Sequence, residues 1–107
     1  MHYEVGDVLL VRFPRSGGYG SKQRPVLVML DIGDADIVVA PITSAERHGT
    51  GDYGIQGWSA SGLLRTSWVR LAKLTTIEKV DVVVHLGRFL DADLSNVSRI
   101  FRELFPV

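Results

Sequence analysis

The chain reads as a mainly β protein: a small, strongly bent antiparallel sheet closing towards a barrel, with one helix at the C-terminus. Apolar runs of strand length, rich in β-branched residues, recur near 7–13, 26–30, 37–40, 66–71 and 80–84. Gly, Pro and Asp punctuate them. Helical spacing of apolar residues appears once, at Leu94, Val97, Phe101 and Leu104, with Ile100 and Phe105 beside them.

The first run, Asp-Val-Leu-Leu-Val-Arg-Phe from Asp7, is apolar on both faces at its centre, as suits a strand buried inside a curved sheet. Pro14 stops it, and a glycine-rich loop follows; this loop lacks the Gly-Lys-Ser/Thr of a phosphate-cradling loop. Pro25 opens the second strand, where its missing N–H need not pair. Asp31, Gly33, Asp34 and Asp36 supply a turn, and 37–40 returns as a third strand, completing a meander. The polar stretch to Gly62 is too long for an ordinary hairpin and is expected to hold an irregular strand around 53–56. A strand over 66–71 and a turn over 75–79 precede a strand that starts at Val80 and runs towards Phe89. Asp91 is the expected N-cap of a final helix of roughly 12–15 residues, with Asp93 complementing its dipole.

A chain of 107 residues has room for one core, so one domain over 1–107 is expected. With 46% hydrophobic and 22% charged residues it is a folding sequence rather than a disordered one. Twelve basic residues balance twelve acidic ones, which excludes a polybasic binder. The balance is uneven along the chain: 1–30 and 37–80 carry basic excess, while Asp31, Asp34, Asp36 and the tail are acidic. A basic groove is therefore available if the loops converge. The absence of cysteine excludes disulfides, thiolate zinc sites and cysteine nucleophiles, and His2, His48 and His85 have no metal-ligand spacing. No cofactor is expected. The first residues lack a secretory pattern and no apolar run approaches ~18 residues, so a cytoplasmic protein without membrane contact is expected.

Three ordered stretches carry a family pattern: Gly6-Asp-Val-Leu-Leu-Val-Arg-Phe-Pro14, Lys22-Gln-Arg-Pro-Val-Leu-Val28 and Val39-Ala-Pro-Ile-Thr-Ser44. Val69-Arg-Leu-Ala-Lys-Leu-Thr-Thr-Ile77 and Leu86-Gly-Arg88 continue it. No one of these is specific; their order and spacing together are. The chain resembles the MazF/PemK family of toxin–antitoxin ribonucleases over nearly its whole length. The resemblance implies an SH3-like barrel of CcdB/PemK type and a homodimer. It also implies metal-independent cleavage of single-stranded RNA, and inhibition by a small cognate antitoxin of MazE/PemI type. It places the catalytic pair at Arg24 and Thr43.

The chemistry suits those residues. RNA is cut when a 2′-hydroxyl attacks the adjacent phosphorus in line, leaving a 2′,3′-cyclic phosphate and a 5′-hydroxyl. The protein must align the atoms, stabilise phosphoryl charge and manage two protons. A guanidinium at 24 is an always-charged fork for phosphate oxygens, and a hydroxyl at 43 offers one donor and two lone pairs. If the second and third strands pair, both residues fall at one end of the sheet. Arg15, Ser16, Lys22, Gln23 and Ser44 are further candidates for phosphate or base contacts; Tyr19 and Trp58 offer faces on which bases stack, although a Trp such as Trp58 or Trp68 is more often a core or interface aromatic.

The chain departs from the family at one point. The loop Gly17-Gly-Tyr-Gly-Ser-Lys-Gln23 has no Asp or Glu, where many relatives carry an acid before the Arg-Pro motif. His48 is the natural substitute as proton acceptor, because imidazole titrates near neutrality. The missing acid also keeps open a degenerate toxin that binds its antitoxin without cutting. A CcdB-like gyrase poison is disfavoured, since the chain ends Glu103-Leu-Phe-Pro-Val107 without the C-terminal Trp which that family uses.

Overall fold

In the computed structural model, residues 1–14 and 21–107 are described, so the candidates Arg15, Ser16 and Tyr19 lie outside the described residues. Seven strands and one helix follow in order: β1 (Asp7–Pro14), β2 (Ser21–Leu30), β3 (Asp36–Thr43), β4 (Asp52–Gly54), β5 (Trp68–Arg70), β6 (Thr75–Glu78), β7 (Val82–Arg88) and α1 (Asp91–Leu104). Single 3₁₀ turns occupy Leu71–Lys73 and Lys79–Asp81. No helix of the described residues is long and apolar enough to cross a membrane.

All strand pairs are antiparallel, and β3 organises them. One edge of β3 pairs with β2 (Val26 opposite Pro41, Val28 opposite Val39). Its first half also pairs with β6 and its last two residues with β5. β1 lies between β2 and β7. The sheet thus runs β4-β5-β3-β2-β1-β7, with β6 on the first half of β3. It bends strongly but is not closed: among the described residues no pairing joins β7 to β4 or β6.

The bend leaves an apolar layer on each side of the meander. Val8, Leu27, Ala40, Ile42, Ile55, Leu63, Val69, Leu71, Phe89 and Val97 form one cluster, covered by α1 through Leu94, Ile100 and Leu104. Leu9, Val11, Val26, Val28, Ile37, Val39 and Ile77 form the other, covered by Tyr3 and Val82. Neighbours such as Val8 and Leu9, or Val39 and Ala40, are both fully buried because alternate side chains enter opposite clusters. Burying each such aliphatic side chain contributes about 1.5–3 kcal/mol, which is why runs apolar on both faces form the centre of the sheet.

Several local expectations need correction. Pro25 sits inside β2, opposite Leu10, rather than at its start. The ladder to β3 begins only at Val26, so the first half of β2 is paired on one side, a setting in which a strand tolerates proline. β3 runs through Pro41 to Thr43 instead of ending at Ala40. Residues 75–78 form a strand rather than a turn, since Ile77 pairs with Ile37 and fills the second cluster. The strand expected over 66–71 shortens to Trp68–Arg70, and the last strand starts at Val82, after a 3₁₀ turn.

The helix begins one residue earlier in capping terms. Leu90, in extended conformation, is the N-cap, and Asp91 is the first helical residue with no capping bond. Asp93 makes long-range bonds instead. Its buried carboxylate accepts the Gln56 N–H at 3.0 Å, the Gly57 N–H at 2.8 Å and the Tyr53 hydroxyl. Asn96 donates to the same phenol oxygen at 3.0 Å. Burial first, and then the hydrogen bond to Asp93, push the Tyr53 phenol above its ordinary value.

A second carboxylate ties down the start of the chain. Asp31, its side chain fully covered, accepts the Tyr3 N–H at 2.7 Å and the Gly33 N–H at 2.8 Å and pairs with Lys79 Nζ at 2.9 Å. Lys79 also donates to the Met1 carbonyl at 2.7 Å. The Tyr3 N–H above all, with Lys79 and Gly33, holds the Asp31 carboxyl well below the ordinary carboxylate range, against an opposing desolvation. A depressed folded-state pKa stabilises the fold above the ordinary value, and that stabilisation is lost as pH falls below it. The urea midpoint of the wild type is therefore expected to exceed that of Asp31→Asn at neutral pH, and the two are expected to converge as pH drops below about 4. A gap that stays constant into acid would refute this linkage.

Candidate functional site

The β2–β3 ladder stops at Val26 and Pro41. Continued two residues further, that register sets Arg24 against Thr43, but there β3 turns away to pair Ile42 with Val69 and Thr43 with Trp68. A cavity of about 580 Å³ opens beside this divergence. From β2 it is lined by Lys22, Gln23, Arg24 and Pro25, and from the end of β3 by Ile42, Thr43, Ser44 and Ala45. Residues 62–65 and Ser67 line it too, and Leu10 and Leu86 complete it.

Arg24 and Thr43 therefore line one cavity although nineteen positions separate them in sequence. Arg24 is exposed and Thr43 half-buried. Thr43 Oγ1 accepts the Ala45 N–H at 3.1 Å, a hydroxyl-closed turn that fixes the side chain and leaves its own proton free to donate. Lys22, Gln23 and Ser44 are exposed and line the same cavity.

Two candidates lie outside the cavity lining. His48 is not a lining residue; its exposed ring lies 2.6 Å from Glu46 Oε2, and this local pair two residues apart holds it at the outer surface. Trp58 does not line the cavity either: of its two readings the structure supports the core one, since it is half-buried and packs against the first apolar cluster.

The cavity also contains what sequence reasoning missed. Arg65 lines it, so among the described residues three cations (Lys22, Arg24 and Arg65) share a lining that contains no Asp or Glu. Among the described residues none of the three has an acidic partner. In a concave, partly apolar recess such a set attracts and concentrates anions. Its signal in the sequence is only membership of the basic excess over 37–80, because nothing local ties 65 to 24.

The loop that carries Arg65 is placed by a close backbone approach. Gly62 has φ +89°, and a Cβ there would lie 2.2 Å from the Leu86 carbonyl oxygen; one on Gly87 would lie 2.4 Å from that of Ser61. Only glycine at both positions lets the loop lie against β7.

Comparison with known proteins follows the same architecture. An endoribonuclease in complex with its cognate antitoxin from a mycobacterial species is similar with a TM-score of 0.73 at 20% identity, over 95% of this chain and 93% of that one. The Mycobacterium tuberculosis toxin MazF-mt6 is similar with a TM-score of 0.73 at 20% identity, over 92% of this chain and 97% of that one. An endoribonuclease from a mycobacterial species gives 0.73 at 17% identity, over 96% and 90%. At these identities the likeness is one of fold. Among curated proteins none matches the sequence significantly. The model of the PemK-like, MazF-like toxins matches residues 4–105, and with nearly its whole length matched the chain belongs to this family of toxins of type II toxin–antitoxin systems.

Proposed function

We propose that the protein is an endoribonuclease toxin that cleaves single-stranded RNA in the cavity beside β2 and β3. The observation that carries this reading is the lining itself: Arg24, Lys22 and Arg65 with the Thr43 and Ser44 hydroxyls, and no carboxylate among the described residues. The family, and the endoribonuclease and antitoxin named among its structural neighbours, support the same reading. The natural partners are a single-stranded RNA, a cognate antitoxin and a second copy of the chain.

In this mechanism the 2′-oxygen forms a bond to phosphorus as the bond from phosphorus to the 5′-oxygen breaks. The guanidinium of Arg24 takes the charge that gathers on the non-bridging oxygens, where a forked, charge-assisted contact is strongest. Thr43, whose oxygen already accepts a backbone N–H, donates its hydroxyl proton to the same phosphate and so fixes its orientation. The attacking hydroxyl gives up one proton and the departing 5′-oxygen gains one. The described lining contains no carboxylate and His48 lies outside it, so solvent water takes the first proton and supplies the second.

Purified protein incubated with a long single-stranded RNA of mixed sequence in EDTA is expected to leave fragments ending in 2′,3′-cyclic phosphate and 5′-hydroxyl. RNA left uncut at high protein concentration would overturn the cleavage reading in favour of a toxin that only binds its antitoxin.

A further inference from the structure

Arg65 stands in an unusual position for an arginine with a structural task. It is exposed, and among the described residues its guanidinium meets neither a carboxylate nor a hydrogen-bond acceptor. Its backbone, by contrast, is firmly held. The buried Ser67 hydroxyl donates to the Arg65 carbonyl at 2.8 Å, the Ile55 N–H donates to the Ser67 carbonyl at 3.0 Å, and the Leu63 N–H donates to the Trp58 carbonyl at 3.1 Å. A fixed loop thus presents to the cavity that holds Arg24 a cation with no acidic partner among the described residues. Beside it Leu64, an apolar side chain, is 92% exposed, yet it too lines the cavity. Leu10, Pro25, Ile42, Leu63 and Leu86 give the recess an apolar floor.

This combination fits more than one phosphate group. A lone phosphate needs cations and donors but no hydrocarbon, whereas a nucleotide presents an anion and an apolar base face together. The volume of about 580 Å³ falls within the range of roughly 300–1,000 Å³ usual for small-molecule sites. We propose that the Arg65 loop is the subsite for the nucleotide flanking the scissile bond: Arg65 holds the neighbouring phosphate, and the apolar floor with Leu64 seats the base. The proposal rests on the endoribonuclease reading and adds a binding residue to it. Because its loop is tethered before RNA arrives, little ordering is lost on binding. Arg65 acts in substrate capture, and Arg24 in charge stabilisation.

The test compares wild type, Arg65→Ala, Arg65→Lys and Arg24→Ala. Binding is measured over a range of salt with a mixed-sequence single-stranded RNA made uncleavable by 2′-O-methyl groups, and cleavage with its unmodified counterpart. Arg65→Ala is expected to weaken binding about tenfold and to flatten the slope of log affinity against log salt by about 0.7, the loss of one single-strand phosphate contact. It is expected to raise KM with kcat nearly unchanged, whereas Arg24→Ala lowers kcat. Arg65→Lys, which keeps the charge, is expected to recover the slope. If the wild type binds and cuts RNA but Arg65→Ala matches it in affinity, slope and KM, the subsite falls and the enzyme reading stands. Weakened binding with an unchanged slope and no recovery in Arg65→Lys would mark a structural role and also overturn the subsite. A wild type that neither binds nor cuts would remove both.

Discussion

Replacing Arg24 with alanine is expected to reduce RNA cleavage by about 10²–10³-fold in kcat, the loss found when one preorganised donor to a developing oxyanion is removed. Arg24 is exposed and belongs to neither apolar cluster, so the thermal midpoint should hardly move. Arg24→Lys keeps the charge but loses the planar fork, and is expected to fall between wild type and alanine. The measurement is a single-turnover cleavage rate at saturating protein, which separates chemistry from binding. An alanine variant that cuts at the wild-type rate would remove Arg24 from the reaction. If that happened while cleavage persisted, Lys22 and Arg65 are the cations left in the cavity.

Asp93→Ala is expected to be the most damaging single change to stability, by about 2–4 kcal/mol. The carboxylate is 1% exposed and accepts two backbone N–H groups and a phenol, so its removal orphans donors on a segment thirty-six positions away. It also lies in the first turn of α1, where a negative charge favours the helix dipole. A change of that size corresponds to a drop in Tm of roughly 10–20 °C for a domain of this length. Asp93→Asn keeps one acceptor oxygen and should lose about half as much. Urea unfolding with an unchanged slope and a shifted midpoint is the check. An unfolding free energy within about 0.5 kcal/mol of wild type would show that the clamp is dispensable.

Much of the fold was legible because its signals are local. The β-branched runs of the first three strands predicted the meander, and the apolar spacing from Leu94 to Leu104 predicted α1 with nearly its observed length. Errors gathered where tertiary pairing outweighs local preference. Thr75–Glu78 reads as a turn by composition but pairs along β3, and Pro25 reads as a strand start but lies mid-strand. Asp91 reads as a cap because Asp often is one, yet the helix starts from Leu90 without a side-chain cap.

For the site, motif order drew attention to Arg24 and Thr43, and the strand register explains how they come to share a cavity. His48 drew attention through its chemistry alone, and geometry pairs it with Glu46 instead. Arg65 went unmarked because no spacing rule links a loop cation to a strand forty-one residues earlier.

From sequence alone came the element types, the family pattern and the supply of cations without metal-ligand spacing, because periodicity and composition act within a few residues. The tertiary structure decided which cations share a recess, which carboxylates clamp the chain and which histidine stays outside. Those outcomes depend on register, on the turn of β3 away from β2, and on the glycine-to-backbone contact that lays residues 61–62 against β7, all of them contacts between segments far apart in the chain.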